Sequence, residues 1–370
     1  MVRASAALLV LPGVVEVDEV DFLSVGPGQV EVRMAAAGIC HTDLHIRDSP
    51  DGWGKSFPLL LGHEGSGIVV NAGDGVSLEA GDHVAIACRV PCGACALCRR
   101  GDTRRCRSSA PKPALIQRST DQSSVTPALG VGLFADTVVV DAMAAVKVDP
   151  LIPFDVAAIL GCALMTGVGA VTHTARVFPG ATVAVIGCGG IGLSVVLGAL
   201  LAGASKVIAI DLVASKLSWA SRLGATDVIN SSEENPVDAV REITGGDGVD
   251  FAFEAVGLAT CVEQSLAMLA YGGVATVIGV PPRNENMTLP LGGPGGFLAN
   301  TNSLLVTHGG DSLPQHDLDV YASLILQGRL DVAKMISHRI SLGDLDEGFE
   351  MMKSGESVRA VVVLDKSLVR

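Results

Sequence analysis

The chain has 370 residues, 49% apolar and only 4% aromatic, with 44 glycines and a formal net charge of −13. That length exceeds what a single hydrophobic core usually serves and predicts two domains. The acidic balance argues against nucleic acid as a partner, since a phosphate backbone calls for basic patches, but not against a small anionic cofactor held by backbone amides.

The opening MVRASAALLVLPG has the outline of a signal peptide, with one Arg before a short apolar stretch. It runs straight into the alternating VVEVDEV without a clean small-residue cleavage site, so the reading is a cytoplasmic protein. Up to about residue 150, GQVEVRMAAAGI, GSGIVVNAG, GDHVAIACRV and FADTVVVDAM alternate in polarity between Gly-marked turns. Such spacing predicts an antiparallel β domain. Within it, CGACALCRRGDTRRC sets Cys92, Cys95 and Cys98 three residues apart and Cys106 eight later. Four thiolates about 2.3 Å from one centre make a closed structural zinc site, and Gly93 and Gly101 permit the tight turns. A disulfide-stapled loop is the alternative. Nine cysteines in all suggest a reducing compartment. A closed site does no chemistry, so a reactive metal needs other ligands.

Near Leu151 the pattern changes, and from Thr182 strands and helices alternate. The predicted order is ATVAVIG, a helix over IGLSVVLGALLAG, SKVIAID, a helix over VASKLSWASRLG, TDVIN, the helix PVDAVREIT, GVDFAFEAVG, the helix ATCVEQSLAMLA and GGVATVIGV. This is βαβ winding of a parallel sheet. The apolar stretch Ile191 to Ala204 is too short and too Gly-rich to span a bilayer. PPRNENMTLPLGGPGGFLANT reads as a loop and NSLLVTHGG as a further strand. The helices near Leu318–Gln327 and Leu342–Lys353 and the strand AVVVLD are too few for a core of their own. They are expected to pack back on the first domain.

Gly187, Gly189 and Gly192, with Gly190 between them, form GCGGIG after the strand TVAVI and at the start of a helix. Asp211 closes the next strand. This context turns a weak motif into a dinucleotide fingerprint: a tight turn, close backbone approach to a pyrophosphate, and a helix N-terminus beneath it. Asp211 would accept hydrogen bonds from both adenosine ribose hydroxyls and repel a 2′-phosphate, which favours NAD over NADP. Lys216, one helical turn on, would add a contact to that ribose or else be a solvated lysine. Cys40 in a turn at GICHTDLH, His63 in LGHEGSG and Cys162 in GCALMTG are the remaining metal-ligand candidates, each ordinary when taken alone.

Taken together, GICHTDLH, GHEGSGIVVNAGDGV, CGACALCRRGDTRRC, GCALMTGVGA, VIGCGGIG, FEAVG and VIGVPP run in order along nearly the whole chain. In these stretches it resembles the zinc-dependent medium-chain alcohol dehydrogenases. The resemblance implies a GroES-like β-rich catalytic domain over 1–163 and 308–370 and a Rossmann NAD-binding domain over 164–307. It implies two zinc ions per chain, with Cys40, His63 and Cys162 holding the catalytic one and leaving a position open, the ligand set known for alcohol dehydrogenase. Glu64 matches the carboxylate beside that metal, and Asp43 the one that fixes the His63 tautomer. Thr42 and His45 match a proton relay to solvent. His41 and Arg359 match cations near the cofactor pyrophosphate; for Arg359 a surface ion pair is the alternative. Thr166, Ile191 and Val280 match cofactor neighbours. Trp53, Leu133, Phe134 and Val280 are assigned to the substrate-channel wall, with core packing as the alternative for Leu133 and Phe134.

The activity implied is reversible hydride transfer between a primary aliphatic or aromatic alcohol and NAD, in a homodimer or homotetramer with neither nucleic-acid nor membrane partners. Relatives that oxidise S-(hydroxymethyl)glutathione are the second reading. They carry an arginine where this chain has Ala110, with Lys112 nearby, and they lack a histidine at the position of His45. A non-catalytic NAD-binding zinc protein is the alternative of another class.

Overall fold

The computed structural model describes residues 1–106, 111–282, 285–289, 291–292 and 296–369. The chain divides into two compact units, one of Met1–Cys162 with Leu313–Arg370, the other of Ala163–Ser312.

In the first unit the polar–apolar alternation read from the sequence becomes pleat. In the strand Gln29–Gly38, Val30, Val32 and Met34 are fully buried while Arg33 is exposed. Val2–Leu11, the stretch with the outline of a signal peptide, is itself a strand. It forms a closed barrel with Val14–Phe22, Ile116–Arg118, Ser124–Pro127 and Leu59–Leu60. A second sheet runs Ala145–Lys147, His83–Ala87, Glu64–Ala72, Gln29–Gly38, Ala360–Val363, His338–Ile340, and Thr137–Asp141 also pairs with Gln29–Gly38. The C-terminal segment joins this unit because Ala360–Val363 adds to the sheet, with Val361 opposite Gly38. Its helices are Pro314–Leu326 and Leu345–Lys353.

The second unit holds a six-stranded parallel sheet in the order Asp227–Asn230, Lys206–Asp211, Thr182–Ile186, Val249–Glu254, Leu269–Val277, Ser303–Val306. The order reverses beside Thr182–Ile186, as in a doubly wound Rossmann sheet. The crossovers carry the helices Gly190–Leu201, Ala214–Leu223, Pro236–Ile243 and Ala259–Ala267. Ser303–Val306 is an edge strand. Two helical stretches were missed in the sequence. His41–Asp48 is a helix, and residues 154–175 form successive α and π turns. No helix among the described residues is long and apolar enough to cross a membrane.

Candidate functional site

Strand register explains how residues far apart in the chain meet. Gln29–Gly38 ends where its antiparallel neighbours Glu64–Ala72 and Ala360–Val363 begin, and where His83–Ala87 ends. Residues 39–40, 63–64, 88 and 359 therefore lie at one end of the sheet. Cys162 arrives from the π-helical turn Leu160–Leu164, a geometry common at functional sites. Cys40, His63, Glu64 and Cys162 each present one ligand atom, all within 4.8 Å of one another.

Cys40 lies not in a turn, as the sequence suggested, but at the N-cap of the helix His41–Asp48. Asp43, in the first turn, is fully buried and serves both helix and cluster. Its Oδ2 accepts the N–H of Cys40 (3.2 Å), capping the helix. Its Oδ1 accepts the N–H of Gly62 (3.1 Å) and faces His63 Nδ1 at 3.0 Å. Asp43 thus takes the Nδ1 side of the ring and leaves His63 Nε2 facing the cluster. That Nε2 is buried without a hydrogen-bond partner, as is Glu64 Oε1 3.8 Å away. A buried ring nitrogen beside two thiols and an unpaired carboxylate oxygen is a donor set that fits a cation of the zinc type.

The electrostatics follow from that crowding. Burial pushes the Glu64 carboxyl up to about 7, against the pull of the Arg359 guanidinium. Burial alone would lower the His63 ring, but Asp43 and Cys40 outweigh it and hold it well above its ordinary value. A hydrogen bond from Cys162 draws Cys40 well down, and Cys162 itself is pushed well up. Both shifts reflect the hydrogen bond the two sulfurs share, which favours the ionised form of Cys40 and the protonated form of Cys162.

For Arg359 the structure overturns the alternative reading. It is buried, not a surface ion pair, and donates to the Ile39 carbonyl (3.0 Å) and to Glu64 Oε2, leaving only its Nε without a partner. The guanidinium is thus turned toward the carboxylate behind the cluster, because the strand that follows it, Ala360–Val363, pairs with Gln29–Gly38. Leu133 and Phe134 differ from their assignment: both are fully buried, each in a hydrophobic core of the first unit. They form no wall of an open channel, because their backbone closes against Leu61 and Gly62. Trp53 is exposed, with its ring 6.4 Å from that of His45. His45 is exposed, Thr42 half-buried, and the exposed His41 has its ring 6.3 Å from His45.

Sequence reasoning missed Cys88. Its thiol hydrogen-bonds with Cys162 and is drawn down to about 7 despite burial. No spacing signals this. Gly161 lies so close to the strand end His83–Ala87 that a Cβ there would sit 2.2 Å from the Ile86 carbonyl oxygen, and that approach brings 162 beside 88.

The second cluster is local. Cys92, Cys95, Cys98 and Cys106 hold their sulfurs within 4.8 Å of one another. Cys95 and Cys106 sulfurs stand 4.0 Å apart, near the edge of about 3.8 Å expected for a Zn–S4 tetrahedron. All nine cysteines are free, so the lobe is not disulfide-stapled. Backbone N–H groups of Cys92, Cys95 and Cys98 donate to the sulfurs of Cys106, Cys92 and Cys95 (3.3, 3.4 and 3.5 Å). Burial and the neighbouring sulfurs push Cys98 up to about 12.

In the second unit the loop after Thr182–Ile186 has the shape a dinucleotide requires. Gly187 has φ +93°, and a Cβ on Gly192 would sit 1.7 Å from the Gly187 oxygen. A Cβ on Gly189 would meet nothing within 4 Å, so the N-terminus of Gly190–Leu201 opens onto free space. Asp211 Oδ2 accepts the N–H of Cys188 (2.7 Å) and Oδ1 that of Val213 (2.9 Å), which fixes the carboxylate beside the loop. Lys216 is half-buried in the first turn of Ala214–Leu223, and Ile191 half-buried in Gly190–Leu201. Thr166 is buried in Met165–Gly169, the helix whose Gly167 touches the Ile191 carbonyl. Val280 is 51% exposed. Ala110 lies outside the described residues.

Residues 26–150 match the family model of the alcohol dehydrogenase GroES-like domain, and residues 190–325 that of zinc-binding dehydrogenases. An S-(hydroxymethyl)glutathione dehydrogenase of Synechocystis is 34% identical over 358 residues, covering 94% of this chain and 95% of its own. An alcohol dehydrogenase zinc-binding domain protein of Burkholderia ambifaria superposes with TM-score 0.91 at 31% identity, over 98% of this chain and 99% of that one. Benzyl alcohol dehydrogenase of Acinetobacter calcoaceticus superposes with TM-score 0.89 at 28% identity, over 99% and 100%. With such agreement along its whole length, the chain belongs to the zinc-binding alcohol dehydrogenase family of medium-chain dehydrogenases and is an NAD(P)-linked oxidoreductase.

Proposed function

We propose that the chain interconverts a primary alcohol and its aldehyde with NAD, Cys40, His63 and Cys162 holding the catalytic zinc and the four-cysteine lobe the structural one. The observation that carries this is the buried, partnerless His63 Nε2 aimed among two thiols. When bound, the zinc supplies Lewis acidity toward the alcohol oxygen and NAD accepts the hydride.

The residues of the chain do the rest. Asp43 keeps the proton on His63 Nδ1, and Arg359 balances the charge of Glu64. Thr42 and His45 lie three apart on one helix and so share a face. Thr42 would pass a proton outward to the exposed His45, histidine being the side chain that exchanges protons near neutral pH. Gly187, Gly189, Gly190 and Gly192 would cradle the pyrophosphate, with Thr166, Ile191 and Val280 as further cofactor neighbours. Lys216 would reach the adenosine ribose, His41 would add a local cation, and Trp53 is the channel residue we retain from the sequence reading. Asp211 would favour NAD; Asp211→Gly should narrow the NAD/NADP preference at least about tenfold, and an unchanged ratio would remove that contact.

The Synechocystis relative supports a second reading, oxidation of S-(hydroxymethyl)glutathione. NADH formation measured with benzyl alcohol and hexanol, against formaldehyde plus glutathione, decides between them. Faster turnover of the glutathione adduct would displace the alcohol reading; no turnover on any arm, with two zincs bound, would remove both. The edge strand Ser303–Val306, with Val306 and Tyr271 both largely exposed, supports pairing with a second copy, which light scattering would test.

A further inference from the structure

We propose that Glu254 is a positioning residue that fixes the segment 278–280 where the cofactor's second nucleotide binds. This rests on the NAD reading of the parallel sheet.

Glu254 ends the strand Val249–Glu254 and is fully buried. Its Oε1 accepts the N–H groups of Val256 (2.7 Å) and Gly257 (2.6 Å), while Oε2 is buried without a partner. Its backbone carbonyl accepts the N–H groups of Ile278 (2.8 Å) and Gly279 (3.1 Å). The turn so closed touches the segment 278–280 backbone to backbone. Gly257 has φ +94°, and a Cβ there would sit 2.5 Å from the Val280 carbonyl oxygen. One on Gly279 would sit 2.1 Å from the Gly257 nitrogen. One residue therefore holds both partners of this contact, the turn 256–257 by its carboxyl group and the segment 278–279 by its backbone carbonyl.

Its place gives the contact a purpose. A dinucleotide lies across the carboxyl ends of the strands where their order reverses, one nucleotide to each half of the sheet. Asp211 belongs to the first half, so the ends of Val249–Glu254 and Leu269–Val277 serve the second nucleotide. Elsewhere a turn of the same kind is closed by the exposed Asp149, which accepts the N–H of Leu151 (2.8 Å). Burying a carboxyl group is costly. A site that uses one where an exposed Asp or Asn would close the turn is holding a position.

The test compares NAD with ADP-ribose, which lacks nicotinamide, by titration calorimetry. Glu254→Leu should raise the Kd for NAD about tenfold and leave that for ADP-ribose within about twofold. Glu254→Gln, which keeps one acceptor oxygen, should recover most of that loss. Should the leucine variant not fold, Gly257→Ala, which drives a Cβ into Val280, should give the same split. Equal weakening of both ligands, or an unchanged Kd for NAD, would overturn the assignment. Wild-type protein that binds neither ligand would instead refute the cofactor reading beneath it.

Discussion

The two candidate metal clusters gather sulfur in opposite ways. In the lobe all four ligands come from residues 92–106, and the backbone N–H groups of the same loop steady the sulfurs. Every donor is a cysteine and the set is complete at four. In the other cluster the candidate ligands Cys40, His63, Glu64 and Cys162 come from distant parts of the chain. Asp43 orients His63, and Arg359, from the last strand, holds Glu64. That cluster leaves His63 Nε2 and Glu64 Oε1 buried and unpaired. A local loop builds a closed site whose failure is a loss of stability. On the function proposed above, a site assembled from strand ends and the helical turn of Cys162 would keep one position open, and its failure would be a loss of chemistry.

The sharpest way to break this contrast is Cys40→Ala. Turnover should fall by at least about a thousandfold, and bound zinc from two to one per chain by elemental analysis. A variant that kept wild-type rate would show the assignment to be wrong. Asp43→Ala comes next. Without its orienting carboxylate, metal affinity or activity should drop roughly 10- to 100-fold, with the lobe zinc still bound. Cys95→Ala should act on the other side of the comparison. One zinc should be lost and Tm should fall by roughly 4 °C, the size expected for a loss of about 3 kcal/mol in a chain of 370 residues. Full zinc content with an unchanged Tm would contradict the lobe as a structural site. The smallest effect is expected for Cys88→Ser. Its thiol touches Cys162 but lies outside the four-residue cluster, so zinc should stay at two per chain, and a loss of metal would enlarge the ligand set.

Short-range pattern made half of this protein legible in its sequence. The spacing of Cys92, Cys95, Cys98 and Cys106, the glycines of GCGGIG between a strand and a helix, and Asp211 at the next strand end all act within a few residues or one βαβ unit. For such features, spacing along the chain is spacing in space. What tertiary structure decided lies across strand register. Cys40 became a helix cap through Asp43, and Arg359 turned to Glu64 because Ala360–Val363 pairs with Gln29–Gly38. Leu133 and Phe134 went into two cores, and Cys88 met Cys162 through the close approach of Gly161 to a strand end. A slip of one residue in any of those pairings would turn each side chain to the opposite face, and nothing local to Cys88, Leu133 or Arg359 records which pairing holds.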